Sequence, residues 1–230
     1  MINSLWIAKT GMTAQQTQLD VISHNLSNVS TTGFKRNNAV FEDLIYQNLR
    51  QVGAQTSEEN QLPTGLHLGL GVRTVATSRN FTQGSLQQSS NSLDVAINGN
   101  GFFEVQLPDG TIGYTRDGSF QLDSQGRLVT SGGLPVANGI TVPQGATSIS
   151  ISESGVVSAT LAGNPQPQQL GQLAMSSFIN AAGLQPVGQN MYKESAASGA
   201  PQQGQPGTNG LGVMRQGFLE TSNVNVVEEL

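Results

Sequence analysis

The sequence predicts a mainly β chain led by one long N-terminal α-helix of coiled-coil type, with an antiparallel β-rich central domain. Three observations carry that expectation. Large apolar residues recur every seven positions through the first thirty residues; turn dipeptides punctuate the stretch from Val72 to about Gly217; and a helix-start signal stands within the last six residues.

The helix comes first. Leu5, Met12, Leu19 and Leu26 are spaced by seven, and the positions three further on are Ala8, Gln15, Ile22 and Val29. The a and d slots of four heptads are therefore apolar except at Gln15. Ser4 or Asn3 can cap the start, while Asn28, Ser30, Thr31, Thr32 and Gly33 form a dense stop signal. Over 4–30 such a helix would span about 40 Å. Gly11 costs on the order of 1 kcal/mol against Ala, which seam packing can outweigh. A lone helix with an apolar seam is unstable in water, so Leu5, Met12, Leu19, Ile22, Leu26 and Val29 need a cover. Two covers are open: the chain's own β domain, or a helical seam shared between segments or subunits. The heptad period favours the second, because a helix on a globular core shows a wider stripe.

After the helix, Phe41, Leu44, Ile45 and Leu49 keep helical spacing and predict a short second helix over 39–49. From Gln51 to Gly71 the sequence turns polar and glycine-bearing, with Pro63, and predicts a long loop or extended arm. Such an arm could bridge neighbouring subunits. The chain thus divides into a helical part over 1–33, a connecting segment over 34–71, a β-rich domain over 72–217 and a return segment over 218–230.

In the β-rich part, Asn98-Gly99, Asp109-Gly110, Asp117-Gly118, Gln125-Gly126, Gly132-Gly133 and Asn138-Gly139 separate short runs such as 102–107 and 149–151. Closely spaced turns of this kind indicate antiparallel sandwich- or barrel-like structure. The Gly/Pro/Gln-rich stretch over 195–212 predicts a surface loop. At the end, Asn225 with Glu228 three residues later has the form of a capping box. A C-terminal partner helix is expected to be absent from these 230 residues, cut off after it starts.

Composition excludes several functions. Charged residues make up 11% of the chain, against roughly 25% in an average globular protein. Ser, Thr, Asn and Gln fill the gap with 83 of the 230 residues. A surface so wet yet nearly uncharged has little of the repulsion that keeps soluble proteins apart. A net charge of −5 with three lysines argues against nucleic acid or an anionic membrane surface, which need clustered cations. Cysteine is absent, which removes disulfides and zinc thiolate sites. The first fifteen residues lack the parts of a cleaved signal peptide, and no apolar run is long enough to insert in a membrane.

Catalytic chemistry is equally sparse. Only His24 and His67 could act as histidine bases, and His24 falls at a non-seam helix position that suits a surface or interface polar role. Asp117 and Asp123 flank Phe120, but each lies beside a turn, where Asp bonds nearby backbone amides. Gly69-Leu70-Gly71 and Gly99-Asn100-Gly101 lack the third glycine of a dinucleotide fingerprint. No catalytic residue, cofactor, metal ligand or small-molecule substrate is expected. Glycosylation sequons at Asn25, Asn28 and Asn80 lack a secretory signal to support them.

Three stretches together resemble a known family. Residues 24–35, with Asn25, Asn28, Gly33 and Phe34, resemble the signature that closes the N-terminal helix of bacterial flagellar rod and hook proteins. Residues 95–103, with Gly99, Gly101 and Phe102, followed by 114–120, are similar to that family's central β motif. Residues 217–226, with Ser222, Asn223 and Val224, resemble the segment leading into its C-terminal helix. The opening Ser4 to Gly11 and the arm Tyr46 to Gly71 are most similar to the distal-rod branch.

The resemblance implies a structural subunit of a helical, tubular drive shaft that carries torque across the periplasm and through which axial proteins pass. It implies export by the flagellar type III apparatus without a cleaved signal. It also implies contact with further copies of itself, proximal rod proteins, the hook protein and the surrounding basal-body ring proteins, and an inner tube wall made by pairing the N- and C-terminal helices. A proximal-rod or hook-type protein, a secreted β-rich adhesin and a cell-wall hydrolase stand as alternatives. Assembly into tubes separates the structural reading from an adhesin, and loss of activity on substituting Asp117 and Asp123 would mark a hydrolase.

Overall fold

In the computed structural model the described residues are 2–50 and 65–229. They fall into two compact units, one of Met1–Asn25 with Asn37–Arg79 and one of Leu26–Arg36 with Asn80–Leu230. This division replaces the four consecutive segments expected from the sequence: residues 26–36 join the β-rich unit, and residues 72–79 belong with the helix.

The first unit holds α1 (Ile2–Ser27), β1 (Asn37–Asp43), β2 (Tyr46–Arg50), β3 (Leu66–Gly69) and β4 (Val72–Arg79). β1 pairs antiparallel with β4, with one register shift between Val40 and Phe41, and β2 pairs antiparallel with β3. The short helix expected over 39–49 is replaced by β1 and β2. Four apolar residues in nine positions cannot separate the two periods, and the distant β4 supplies a ladder for β1. Alternation then decides the local conformation: Ala39 and Phe41 are half-buried while Asn38, Val40 and Glu42 are exposed. The ends of the expected arm are likewise strands, and its residues 51–64 lie outside the described residues.

Within this unit α1 presents its small residues to the ribbon. The Val72 N–H donates to Thr10 Oγ1 at 3.4 Å, and Ala14, one turn on, is buried. The approach is close enough that a Cβ at Gly71, whose φ is +122°, would stand 2.3 Å from Thr10 Oγ1.

The second unit contains β5 (Leu86–Gln88), β6 (Val95–Asn98), β7 (Phe102–Gln106), β8 (Ile112–Thr115), β9 (Phe120–Leu122), β10 (Leu128–Thr130), β11 (Ala146–Ile151), β12 (Val156–Leu161), β13 (Asn164–Gln172) and β14 (Met175–Ser177). It continues through β15 (Gln185–Gly188), β16 (Met191–Lys193), β17 (Gln202–Gly204), β18 (Val213–Gln216), β19 (Phe218–Glu220) and α2 (Val226–Glu229). Its largest sheet runs β15-β16-β8-β7-β14-β17; a second is β11-β12-β13; and the C-terminal strands β18 and β19 pair back to β6 and β5. All these pairings are antiparallel. β17 interrupts the stretch expected as loop over 195–212, because Gln202, Gln203 and Gly204 extend the sheet beside β14.

Period two along β7 sends neighbouring side chains into different clusters of this unit. Phe103 enters the main cluster with Val95, Ile97, Phe120, Leu128 and Met214. Its neighbour Phe102 enters an aromatic cluster with Tyr114 and Tyr192, packed edge to face with Phe81 and Phe178. The backbone turn at Gly118 has no room for a side chain: a Cβ there would lie 1.6 Å from the Val95 carbonyl oxygen.

The C-terminal helix expected to be missing begins among the described residues as α2. Asn225 caps it as the sequence requires, its Oδ1 accepting the Val227 N–H at 3.1 Å. Glu228 reaches Arg36 at 3.1 Å, and the Arg36 Nε also lies 2.6 Å from Glu229.

Candidate assembly interface and its anchor

The seam residues named from the sequence divide into two groups. Leu5, Met12 and Leu19 are 71%, 69% and 62% exposed. Ile22, Leu26 and Val29 are half-buried. Three large side chains, one every second turn, thus line a helix surface that the first unit does not cover. Burying what remains exposed of each would be worth at most about 1.5–3 kcal/mol. Trp6 is also exposed, its ring carrying the Lys9 ammonium 4.7 Å from its centroid.

The helix is terminated by side-chain mimicry of a strand pair. Asn25, buried in full, accepts the Asn37 N–H at 2.9 Å through Oδ1 and donates from Nδ2 to the Asn37 carbonyl at 2.8 Å. His24, at the exposed edge, faces Asn37 Nδ2 across 3.4 Å. Asn28 then turns the chain, its carbonyl accepting the Thr31 N–H and its Oδ1 the Thr31 hydroxyl.

Residues 33–35 insert into the second unit. Gly33 takes φ +68° and passes so near β8 that a Cβ would meet the Asp117 nitrogen at 2.7 Å; its N–H donates to the Glu220 carbonyl at 2.8 Å. Phe34 is buried beside it. Lys35 is fully buried, with Nζ donating to Glu220 Oε1 at 2.7 Å and to the Thr82 carbonyl at 2.8 Å. Arg116 closes the group: Nε donates to Glu220 Oε2 at 2.9 Å, and Nη1 donates to the carbonyls of Gly99 and Gly101 at 2.9 and 2.7 Å. The Gly84 N–H also donates to Glu220 Oε1. Burial pushes the Lys35 ammonium below its ordinary pKa; Glu220 opposes that shift and Arg116 adds to it.

Asn223 works beside this ion triad as a peptide clamp. Its Oδ1 accepts the Arg36 N–H at 2.8 Å, and its Nδ2 donates to the carbonyls of Asn80 and Thr82 at 2.9 and 3.0 Å. Ser222 Oγ accepts the Val224 N–H, and Val224 is buried. The motif residues Gly33, Phe34, Gly99, Gly101, Ser222, Asn223 and Val224, drawn from three distant stretches, are thus placed around Lys35, Arg116 and Glu220 or on the segments that carry them. Phe102 lies in the adjoining aromatic cluster, whereas Asn25 and Asn28 serve the helix end.

No local pattern in the sequence singles out the three charged residues at the centre. For Lys35 alone a signal was available: with three lysines in the chain, one placed directly after Gly33-Phe34 is a candidate for burial rather than solvation. Asp117 and Asp123 behave as the turn reading requires. Asp117 Oδ1 accepts the Ser119 N–H, and Asp123 Oδ1 accepts the N–H groups of Gln125 and Arg127.

The sequence is similar to those of known proteins. A family model described as flagella basal body rod protein matches residues 5–35, and one described as flagellar hook protein FlgE/F/G D1 domain matches residues 96–159. The chain is 56% identical, over 100% of its length and 88% of the relative's, to the flagellar basal-body rod protein FlgG of Buchnera aphidicola subsp. Acyrthosiphon pisum. It is 49% identical, with the same coverage of each, to that of Borreliella burgdorferi. The flagellar hook protein FlgE of Helicobacter pylori is 44% identical, but over 59% of this chain and 19% of its own.

Proposed function

The chain belongs to the flagellar basal-body rod protein family, and from that membership we propose how it acts as a structural subunit of the distal rod. Copies join through the α1 stripe of Leu5, Met12 and Leu19, with Ile22, Leu26 and Val29 continuing the seam, to form a helical tube that carries torque and leaves a channel for axial proteins. The observation that supports this reading is the exposure of the stripe on a helix whose opposite side already packs on its own ribbon. The tube joins other rod proteins and the hook protein at its ends and runs through the basal-body rings. Its task needs no catalytic group, and the subunit is exported by the flagellar type III route. No described helix is long and apolar enough to cross a membrane.

In this reading the ion triad and Asn223 are the anchor. They fix residues 33–36, which follow α1, and residues 220–224, which precede α2, on one rigid β unit, so that force entering through terminal segments reaches a packed core. Electron microscopy and sedimentation of the chain extended through a full C-terminal helix test the proposal: tubes or filaments are expected from it and monomers from its Leu19→Asp variant. Equal assembly of the two would overturn it.

A further inference from the structure

One cleft of the second unit lies beside the anchor, which contributes Arg116 to its lining. It encloses about 380 Å³ and is lined by Phe81, Phe102 and Phe178, the Gly99–Gly101 turn and Arg116. Lys35 and Arg116 face a single carboxylate, Glu220, so the buried triad keeps one positive charge in excess. The nearest carboxylate in sequence, Asp117, pairs with Ser119. Arg116, with its side chain 4% exposed, engages Nε and Nη1 but leaves Nη2 without a protein partner among the described residues.

Two further observations point to a ligand. Ile179, at the cleft, is 82% exposed although Phe178 beside it packs in the aromatic cluster. The polar side chains that line the cleft with Arg116, those of Asn100, Ser177 and Asn209, are uncharged. A guanidinium with a free N–H at the end of an aromatic cleft suits a carboxylate carried beside an apolar group.

We propose that this cleft binds a carboxylate side chain presented by a second copy of the chain. The proposal rests on the rod-subunit reading, and charge complementarity carries the choice of occupant. The chain has fifteen acidic residues against ten basic ones. Asp20, Asp43, Glu153 and Glu194 are exposed and have no ion-pair partner among the described residues. Each copy therefore brings exposed carboxylates without an ion-pair partner among the described residues to a surface that holds a cationic cleft.

Two variants and one probe test it. Asn100→Asp supplies the carboxylate from within the chain; it should raise the monomer's melting temperature in a salt-sensitive way and weaken self-association about tenfold. Ile179→Ser should weaken association to a similar extent and leave the melting temperature unchanged. Should both associate like the native chain while Leu19→Asp does not, the cleft proposal falls and the rod reading stands. The direct probe is N-acetyl-aspartyl-leucine amide, titrated against the monomeric Leu19→Asp variant and followed by the Ile179 methyl resonance. Preference of about tenfold over the asparaginyl analogue is expected; equal binding, or no shift with either peptide, overturns the proposal whether or not tubes form.

Discussion

The two units of this chain dispose of their apolar residues in opposite ways. Among the described residues, Ala14 is the only buried apolar residue of the first unit, whereas the core clusters all lie in the second. Conversely, twelve of the seventeen large apolar residues left exposed, Leu5, Trp6, Met12, Leu19 and Ile45 among them, belong to the first unit. A helix and two narrow ribbons cannot bury their own apolar surface; a many-stranded β unit can. The second unit buries its own core, and in the proposed assembly the first would take its cover from neighbouring subunits. Substitutions that separate intrinsic stability from assembly test that contrast.

The largest loss of stability is expected at the anchor. Glu220→Gln removes the one carboxylate between Lys35 and Arg116 and leaves two buried cations facing each other. Breaking a buried ion group in this way costs about 3–5 kcal/mol, so urea denaturation of the second unit should show a correspondingly lower midpoint. A midpoint within error of the native one would mean that the triad is not a structural element. Next comes Gly33→Ala, which forces a side chain into the left-handed region and against the Asp117 nitrogen. About 1–3 kcal/mol is expected from such strain, read by the same denaturation, with residues 26–36 losing hydrogen-exchange protection first.

How far the sequence foretold these regions follows from the range of the forces involved. The heptads of α1 and the Gly-centred turns are local signals, and both types of element are present. Asn225 is a local signal too, and it caps α2. The helix expected over 39–49 failed because the competing strand partner, β4, lies some thirty residues away. Thr10 and Ala14 pack inward on α1 while the large residues face outward, a distinction that periodicity alone cannot draw. The family motifs marked Gly33, Gly99 and Asn223, yet nothing local could show that they surround one ion triad, since Lys35 and Glu220 are 185 residues apart.

A smaller effect is expected from exposed carboxylates of the second unit. The hydrogen bond from Lys193, with those from Thr111, holds Asp109 well below the usual carboxylate pKa, and the Arg127 backbone N–H lowers that of Asp123. A depressed folded-state pKa gives stability that is present above the unfolded pKa, near 3.8, and is lost as pH falls below it. Solvent screens both groups. The double variant Asp109→Asn with Asp123→Asn should therefore narrow, by a small margin, the drop in melting temperature between pH 5 and pH 3. An unchanged drop would assign the acid sensitivity to other groups.

The smallest effect on stability and the largest on assembly are expected from one substitution, Leu19→Asp. The side chain is 62% exposed, so the change buries no charge in the isolated subunit, and a surface substitution of this kind alters folding by about 0.5 kcal/mol or less. In the assembled rod the same carboxylate would enter an apolar seam without a cationic partner, at a cost of several kcal/mol per contact. Repetition along an axis multiplies that cost by every subunit added. Leu26→Asp is a poorer probe, because Leu26 is half-buried within the second unit and its loss would mix the two effects. Measured together, unchanged denaturation with abolished tube formation for Leu19→Asp, against lowered denaturation midpoint for Glu220→Gln, would place intrinsic stability and assembly on different units. A Leu19→Asp variant that melts early would show instead that the stripe is part of the subunit's own fold.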